Sequence, residues 1–317
     1  MALPAVIREF EPADAEQVSN LLFAQMSATV QTAESLLDRQ TSEPERARRH
    51  SWVAVEQGKV VAFATAYFRW FGGETGNGRI WVGVHEDRRR RGIGSELWDV
   101  AVASLPGATK LTVEVDDDPA GLRFVERRGF TQYDSEVIAS LDPRACDSVL
   151  TPVDGFRLVG LGDARHRERE LFEFYGAAGG IPVGDPENRV SLEEWRRFIL
   201  KNPLLDDGSS VVVEDENGEI VSLSWLLVDH ERKRAENEWT ATLPQLRGRG
   251  LARLAKVAAI GAARERGIEE IVTGTDPDNL PIRELNRRLG YRELFTRLDL
   301  ERAVDMDARP APAAPAP

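Results

Sequence analysis

The chain has 317 residues, 42% of them hydrophobic and 30% charged, and a net charge of −12, which suits a globular protein of two ordinary-sized domains. The acidity is evenly spread, with 17 basic against 23 acidic residues in 1–150 and 24 against 30 in 151–317; this opposes nucleic-acid binding, which wants a broad basic face. No apolar run approaches the roughly 20 residues of a membrane span, the start "MALPAVIREFEPAD" lacks a basic-then-apolar leader, and the one cysteine, Cys146, cannot form an internal disulfide, so a cytoplasmic protein without membrane contact is expected.

In chain order, "VIREFEPAD" (Val6–Asp14) reads as a short strand leading to an Asp at a helix start, with Arg8 and Asp14 six apart. "SWVAVEQGKVVAFATAYF" (Ser51–Phe68) alternates and is split by a Gly-containing turn, a hairpin. "RIWVGVHEDRRRRGIGSELW" then puts four arginines, Arg88 to Arg91, directly before Gly92. A strand precedes the glycines, and Ile93, Leu97 and Ala101 follow at helical spacing. The strand "KLTVEV" and a second helix ending in "RRGF" complete the half, with Asp118–Pro119 as N-cap and first helical residue.

The second half repeats the plan. "GFRLVGLGD" (Gly155–Asp163) matches the first strand, with Arg157 and Asp163 again six apart, and "SSVVVEDENGEIVSLSWLLV" (Ser209–Val228) matches the hairpin. "NEWTATLPQLRGRGLARLAK" aligns on Gly250, so that Trp239 falls on Trp81, and Leu251, Leu254 and Ala258 form the helix face. "EIVTGT" and a helix ending in "RRLGY" follow, Gly129 and Gly290 standing where glycines end helices. The expected class is α/β with a mixed sheet, in units of 1–145 and 150–303, and an Ala/Pro-rich tail, 304–317, outside both.

A glycine pair between strand and helix exposes backbone N–H groups at the positive end of a helix dipole, an anion site that a phosphate approaches closely. Flanking arginines add partners for phosphate oxygens. The third glycine or alanine of a dinucleotide fingerprint is missing, as is the "GK[ST]" of a P-loop.

The pattern Arg-x-x-Gly-x-Gly/Ala after a strand, met by Arg89, Gly92 and Gly94 and again by Arg247, Gly250 and Ala252, resembles the coenzyme A signature of the GNAT superfamily of acetyltransferases. Two such units in tandem resemble the architecture of mycothiol synthase and related two-domain enzymes. The resemblance implies acetyl-CoA as acyl donor, with its phosphates on Arg89, Arg90, Arg91, Gly92, Ile93, Gly94 and Ser95 in one half. In the other it implies Leu243, Arg247, Gly248, Arg249, Gly250, Leu251 and Ala252. It also implies a thioester carbonyl held near Val84 and Thr242, and coenzyme contacts at Asn279 and Asn286.

Amine acetylation needs a base to neutralise the ammonium. On "AENEWTATL", Glu236 and Glu238 alternate with Asn237 and Trp239, which predicts both carboxylates on one sheet face with Thr240 and Thr242. Aligned on the glycines, the first half has Gly78 and Ile80 there, neither able to take a proton, and His85 lies too close to the phosphate loop to serve. A catalytic second half and a coenzyme-binding or structural first half follow. The Tyr that many family members carry four residues before the last helix glycine is Val125 or Asn286 here, leaving the thiolate acid unassigned; Tyr291 reads as core. The segment Leu171 to Trp195 is expected to close over the acceptor, with Glu173, Tyr175 and Asp185 as candidate contacts. The expected reaction is acetyl transfer from acetyl-CoA to a small-molecule amine by direct attack, the acidic balance favouring a cationic acceptor. The four histidines have no ligand-spaced partners, so no metal is expected. A non-catalytic acyl-CoA-binding regulator is the alternative, and the oligomeric state is open.

Overall fold

The computed structural model describes residues 5–25, 28–71, 74–116, 118–180 and 189–304; the Ala/Pro-rich tail and Asp185 lie outside them. The first half runs β1 (Val6–Glu9), α1 (Ala15–Gln25), α2 (Ala33–Ser42), β2 (His50–Glu56), β3 (Lys59–Phe68), β4 (Asn77–Val84), α3 (Ile93–Ala103), β5 (Lys110–Asp116), α4 (Pro119–Glu126) and β6 (Thr131–Leu141). The second runs β7 (Phe156–Gly160), α5 (Leu161–Ala164), α6 (Glu168–Ala177), α7 (Leu192–Trp195), β8 (Val211–Asp215), β9 (Ile220–Asp229), β10 (Arg234–Thr242), α8 (Leu251–Glu265), β11 (Glu270–Thr275), α9 (Leu280–Leu289) and β12 (Arg292–Ala303).

Local chemistry explains most boundaries. The Asp118 side chain accepts from Gly121 N at 2.7 Å and caps α4, with Pro119 at its first position. Gly290 ends α9 at φ +96°, a left-handed turn that only glycine makes without strain. Arg8 forks onto Asp14 at 2.6 and 2.8 Å. The matching Arg157 turns instead to Glu214 at 2.6 Å.

All twelve strands join one mixed sheet, ordered β1-β2-β3-β4-β5-β12-β6-β11-β10-β9-β8-β7. The order is palindromic in plan, yet the halves exchange their last strands. β6 lies between β12 and β11, and β12 lies between β5 and β6. Phe295 pairs with Ile138 on one face, whereas Leu298 pairs with Ser135 and Thr296 with Val137 on the other, toward the apolar cores. There α3 and α4 cover one half and α8 and α9 the other.

The opposite face carries charge at the centre. Arg297 stands beside both Asp116 and Glu136, and Asp299 beside Glu114 and Asp134. Arg297 Nε bonds Asp116 Oδ1 at 2.9 Å, and Arg79 pairs with Glu114 and, at 3.4 Å, with Asp299. The halves also share apolar packing on this face: Val30, Ala47 and Trp70 join a core with Trp195 and Trp225, and Trp70 meets Phe198 edge-on at 4.9 Å.

An inserted strand is hydrogen-bonded on both sides and cannot leave without breaking two ladders. A chain nicked by protease within residues 142–154 is therefore expected to stay a single particle on size exclusion and to unfold in one transition. Elution of separate, folded halves would contradict the exchange.

Candidate active site

In both halves the parallel strands that precede and follow the glycine loop pair for only three residues before diverging. β4 meets β5 at Asn77–Lys110, Gly78–Leu111 and Arg79–Thr112. β10 meets β11 at Arg234–Glu270, Ala235–Ile271 and Glu236–Val272. Beyond these residues the facing backbone edges lack their ladder partners, and an extended ligand carrying amides can bind there as an added strand would.

In the first half this gap opens into a cleft of about 790 Å³, lined by Val84, Arg89, Arg90, Gly92, Gly94 and Ser95 among others. Gly92 (φ +90°) and Gly250 (φ +84°) hold the left-handed turns that start α3 and α8. The signature arginines act alike: Arg89 Nε donates to Val84 O at 3.1 Å and Arg247 Nε to Thr242 O at 3.3 Å, latching each loop to its strand.

The other predicted loop residues divide between ligand face and core. Arg91 stands 3.9 Å from Glu56, which also binds Arg88, and Ser95 Oγ accepts from Arg128 at 3.1 Å. Ile93 and Leu251 are buried in the cores beneath their helices. The Arg249 guanidinium lies over the Phe156 ring at 5.0 Å, and Gly248 holds φ +77°. Ala252 follows Leu251 in the first turn of α8, and Leu243 N donates to Val221 O at 3.0 Å. Asn279 spends its side chain capping α9, accepting from Ile282 N at 3.4 Å. Asn286 is buried, its amide donating to Thr275 Oγ1 at 3.3 Å. Val125, at the family's tyrosine position in the first half, is core.

The simple alternation expected on β10 is broken by a bulge between Asn237 and Trp239. An extra residue reverses the face of everything beyond it. Thr240 and Thr242 therefore do not share a face with Glu236. Thr240 Oγ1 bonds Asn237 Oδ1 at 3.1 Å, and both threonines pair with serines of β9, at 3.0 and 2.9 Å. The bulge also corrects the alignment of the halves: by ladder position Arg79, not Gly78, answers to Glu236, and Glu238 has no counterpart on β4.

The two carboxylates nevertheless stand near enough to perturb each other. Glu236 Oε2 accepts from Val30 N of the first half at 3.0 Å, while Glu238 keeps an accessible surface in its recess. Burial, then the neighbouring Glu238 charge, lifts Glu236 to about 8. Burial lifts Glu238 as well. From the exchanged strand β6, Glu136 faces the same region, raised to about 7 by burial and by the Glu114 charge. Such a group holds a proton that an ordinary surface carboxylate has lost.

Tyr175 of α6 packs 4.3 Å from Trp239 and stacks on Trp225 at 5.9 Å. Burial, then the Glu238 charge, pushes its hydroxyl above the usual phenol range. Gly180 lies so close over this pair that a Cβ there would approach Tyr175 to 2.7 Å and Trp239 to 2.8 Å. Glu173 is exposed. Val30, Glu136 and Arg297 were not foreseen: Val30 and Glu136 come from the first half, and Arg297 lies on the exchanged strand β12. Among the described residues no cluster of metal-ligating side chains occurs and no helix is long and apolar enough to cross a membrane.

Residues 15–130 and 169–291 match the acetyltransferase (GNAT) family. Mycothiol acetyltransferase of Clavibacter sepedonicus is 24% identical over 229 residues, covering 69% of this chain and 71% of that protein. That of Saccharomonospora viridis is 24% identical over 223 residues, covering 67% and 70%. The fold matches a tandem GNAT protein from the clavulanic acid biosynthesis pathway (TM-score 0.72, 19% identity, 94% of this chain and 98% of that one). It also matches a GCN5-related N-acetyltransferase from Sphaerobacter thermophilus (TM-score 0.70, 18% identity, 94% and 95%). With one glycine loop and one splayed strand pair in each half and the family's pattern over both, the chain belongs to the GNAT acetyltransferases, in their tandem form.

Proposed function

We propose that this acyltransferase moves an acetyl group from acetyl-CoA to the amine of a small molecule, and that the chemistry takes place in the second half. The neighbouring carboxylates Glu236 and Glu238 beside the splayed end of β10 carry this reading, because the first half has Arg79 and no second residue at that place. The named relatives, mycothiol acetyltransferases, support a small-molecule acceptor.

The glycine loops, with N–H groups at the starts of α8 and α3 and room for close approach, suit the coenzyme's phosphates. The strand edges suit its amide-bearing arm. When bound, the coenzyme supplies an activated thioester carbonyl. The chain's own task is to orient the acceptor and take its proton. Glu238, the accessible member of the pair, is the base. Glu236, anchored on Val30 N, keeps its neighbour's carboxyl from rising further, while burial and the Glu114 charge raise it. Glu136 adds negative potential, so an acceptor arriving as an ammonium is drawn in and then neutralised. Tyr175 and Trp239 wall the recess against water. The first-half cleft, which lacks such a pair, binds a coenzyme thioester without turning it over. Units of 1–145 and 150–303 remain the working division of labour, each completed by the other's last strand.

Glu238→Gln is expected to lower kcat about 10²- to 10⁴-fold, the range of a lost general base, with acetyl-CoA affinity unchanged by calorimetry; wild-type turnover on an amine panel would exclude Glu238 as the base. The base works only when ionised, so the wild-type rate should rise with pH through a midpoint above the ordinary carboxylate range, where burial holds Glu238.

Stability follows with a definite sign. Glu236 keeps its proton in the fold up to about 8 and loses it near 4.5 when unfolded, so the native state binds more protons and stability falls as pH rises between those values. Glu236→Gln escapes this, and its melting temperature should overtake that of the wild type progressively from pH 5 to pH 8. Titration with coenzyme A should give two sites per chain in the wild type and one in Gly94→Trp, whose side chain would fill the first-half cleft where a Cβ already meets Val84 Cγ2 at 3.4 Å. Two sites in that variant would remove the first-half cleft from the coenzyme's binding places.

A further inference from the structure

Three corresponding positions beneath the two strand gaps are filled by opposite chemistry. In the first half they are Ile80 on β4, Trp98 on α3 and Phe130 after α4, all buried in one apolar core, with Trp98 and Phe130 edge-to-face at 5.5 Å. In the second half they are Asn237 on β10, Lys256 on α8 and Tyr291 after α9, all buried. Trp98 and Lys256 each stand six residues after the loop glycine, and Phe130 and Tyr291 each follow the glycine that ends a helix.

The polar version costs stability, because a buried amine and amide must be hydrogen-bonded merely to be tolerated. Its bonds converge on one residue. Lys256 Nζ donates to Asn237 Oδ1 and lies 5.1 Å over the Tyr291 ring. Thr240 Oγ1 donates to the same oxygen at 3.1 Å. Asn237 Nδ2 donates to Ser224 Oγ at 3.0 Å and to Trp225 O at 2.9 Å. The Asn237 carbonyl accepts from Thr273 Oγ1 of β11 at 3.1 Å. These bonds grip both sides of the β10 bulge, the facing strand and the edge of the gap. The strand with the polar trio has the bulge; β4, with the apolar trio, pairs with β3 without one.

We propose that Lys256 is a positioning residue for acetyl transfer: through Asn237 it holds the bulge that turns Glu238 into the recess. The proposal rests on the reading of Glu238 as base. It gives a reason for an amine in a core, where burial has lowered its pKa to about 7 and where the other half packs a tryptophan. A buried lysine with one acceptor and no carboxylate partner among the described residues makes a poor stabiliser, yet as a donor it fixes which way the asparagine amide faces. That orientation selects Ser224 Oγ and Trp225 O as the amide's acceptors and locks the register on either side of Glu238.

The test replaces Lys256 by methionine, of similar length and without the amine. Expected are a fall in kcat of tenfold or more, a KM for acetyl-CoA within twofold of wild type, and faster amide hydrogen exchange at residues 237–240 than in the wild type. The triple variant N237I/K256M/Y291F, which imitates the first half's apolar layer, removes the unpaired amide and should fold, with the same loss of kcat. It decides the matter if the single variant does not fold. Wild-type kcat in either folded variant overturns the proposal. So does a loss of kcat with unchanged exchange at 237–240, which would mean that the lysine acts on the reaction and not on the bulge. Glu238→Gln run in parallel separates the two readings: if it keeps wild-type kcat while exchange quickens in Lys256→Met, the base assignment fails and the control of the bulge stands.

Discussion

The antiparallel pairing of β6 with β12 at the centre of the sheet is the constraint on which the rest depends. Each strand belongs by sequence to one half and by hydrogen bonding to both. Because the pair is antiparallel and each strand is followed outward by the other half's last parallel strand, two similar units become one twelve-stranded sheet. A hinge at this junction would have to break ladders, so the angle between the two strand gaps is set by sheet geometry and not by a linker. The same exchange places Glu136 from the first half, and Arg297 from the second, at the face where the carboxylates gather.

The fold repeats, but the charge at equivalent places does not. On β4 Arg79 is neutralised by Glu114 and Asp299, a closed ion network. On β10 the corresponding Glu236 faces a second carboxylate and a single backbone donor. Placing like charges side by side away from water is unfavourable, and with burial it lifts Glu236 to about 8. One half thus ends its cleft in a closed ion network, and the other in two neighbouring carboxylates beside a bulge. The polar layer of Asn237, Lys256 and Tyr291 against the apolar layer of Ile80, Trp98 and Phe130 extends this asymmetry one shell deeper.

Much of the architecture is visible in residue order, and the reasons are local. Glycines that must adopt positive φ, Asp118 before Pro119, and apolar spacing after Gly92 and Gly250 act over a few residues, so pattern reading finds them. The β10 bulge escapes it, because an extra residue in a strand is decided by what the side chains bond to across the sheet. Asn237 meets its partners at Ser224, Trp225, Lys256 and Thr273, none of which is adjacent in sequence. Alternation therefore placed Thr240 and Thr242 on the wrong face while still bringing Glu236 and Glu238 together, since Glu238 is itself the inserted residue.

By itself the sequence determined the duplicated plan, the two glycine loops and the family, and it put forward Glu236 and Glu238. These rest on motifs whose physics, a helix dipole, a left-handed turn or a carboxylate on a strand, is complete within about twenty residues. Only the tertiary structure decided that the last strands cross over, that Val30 and Glu136 come from the first half to meet those carboxylates, and that a lysine lies beneath them. Those are pairings between residues from roughly twenty to two hundred positions apart, and nothing local specifies them: they follow from which surfaces the whole sheet brings together.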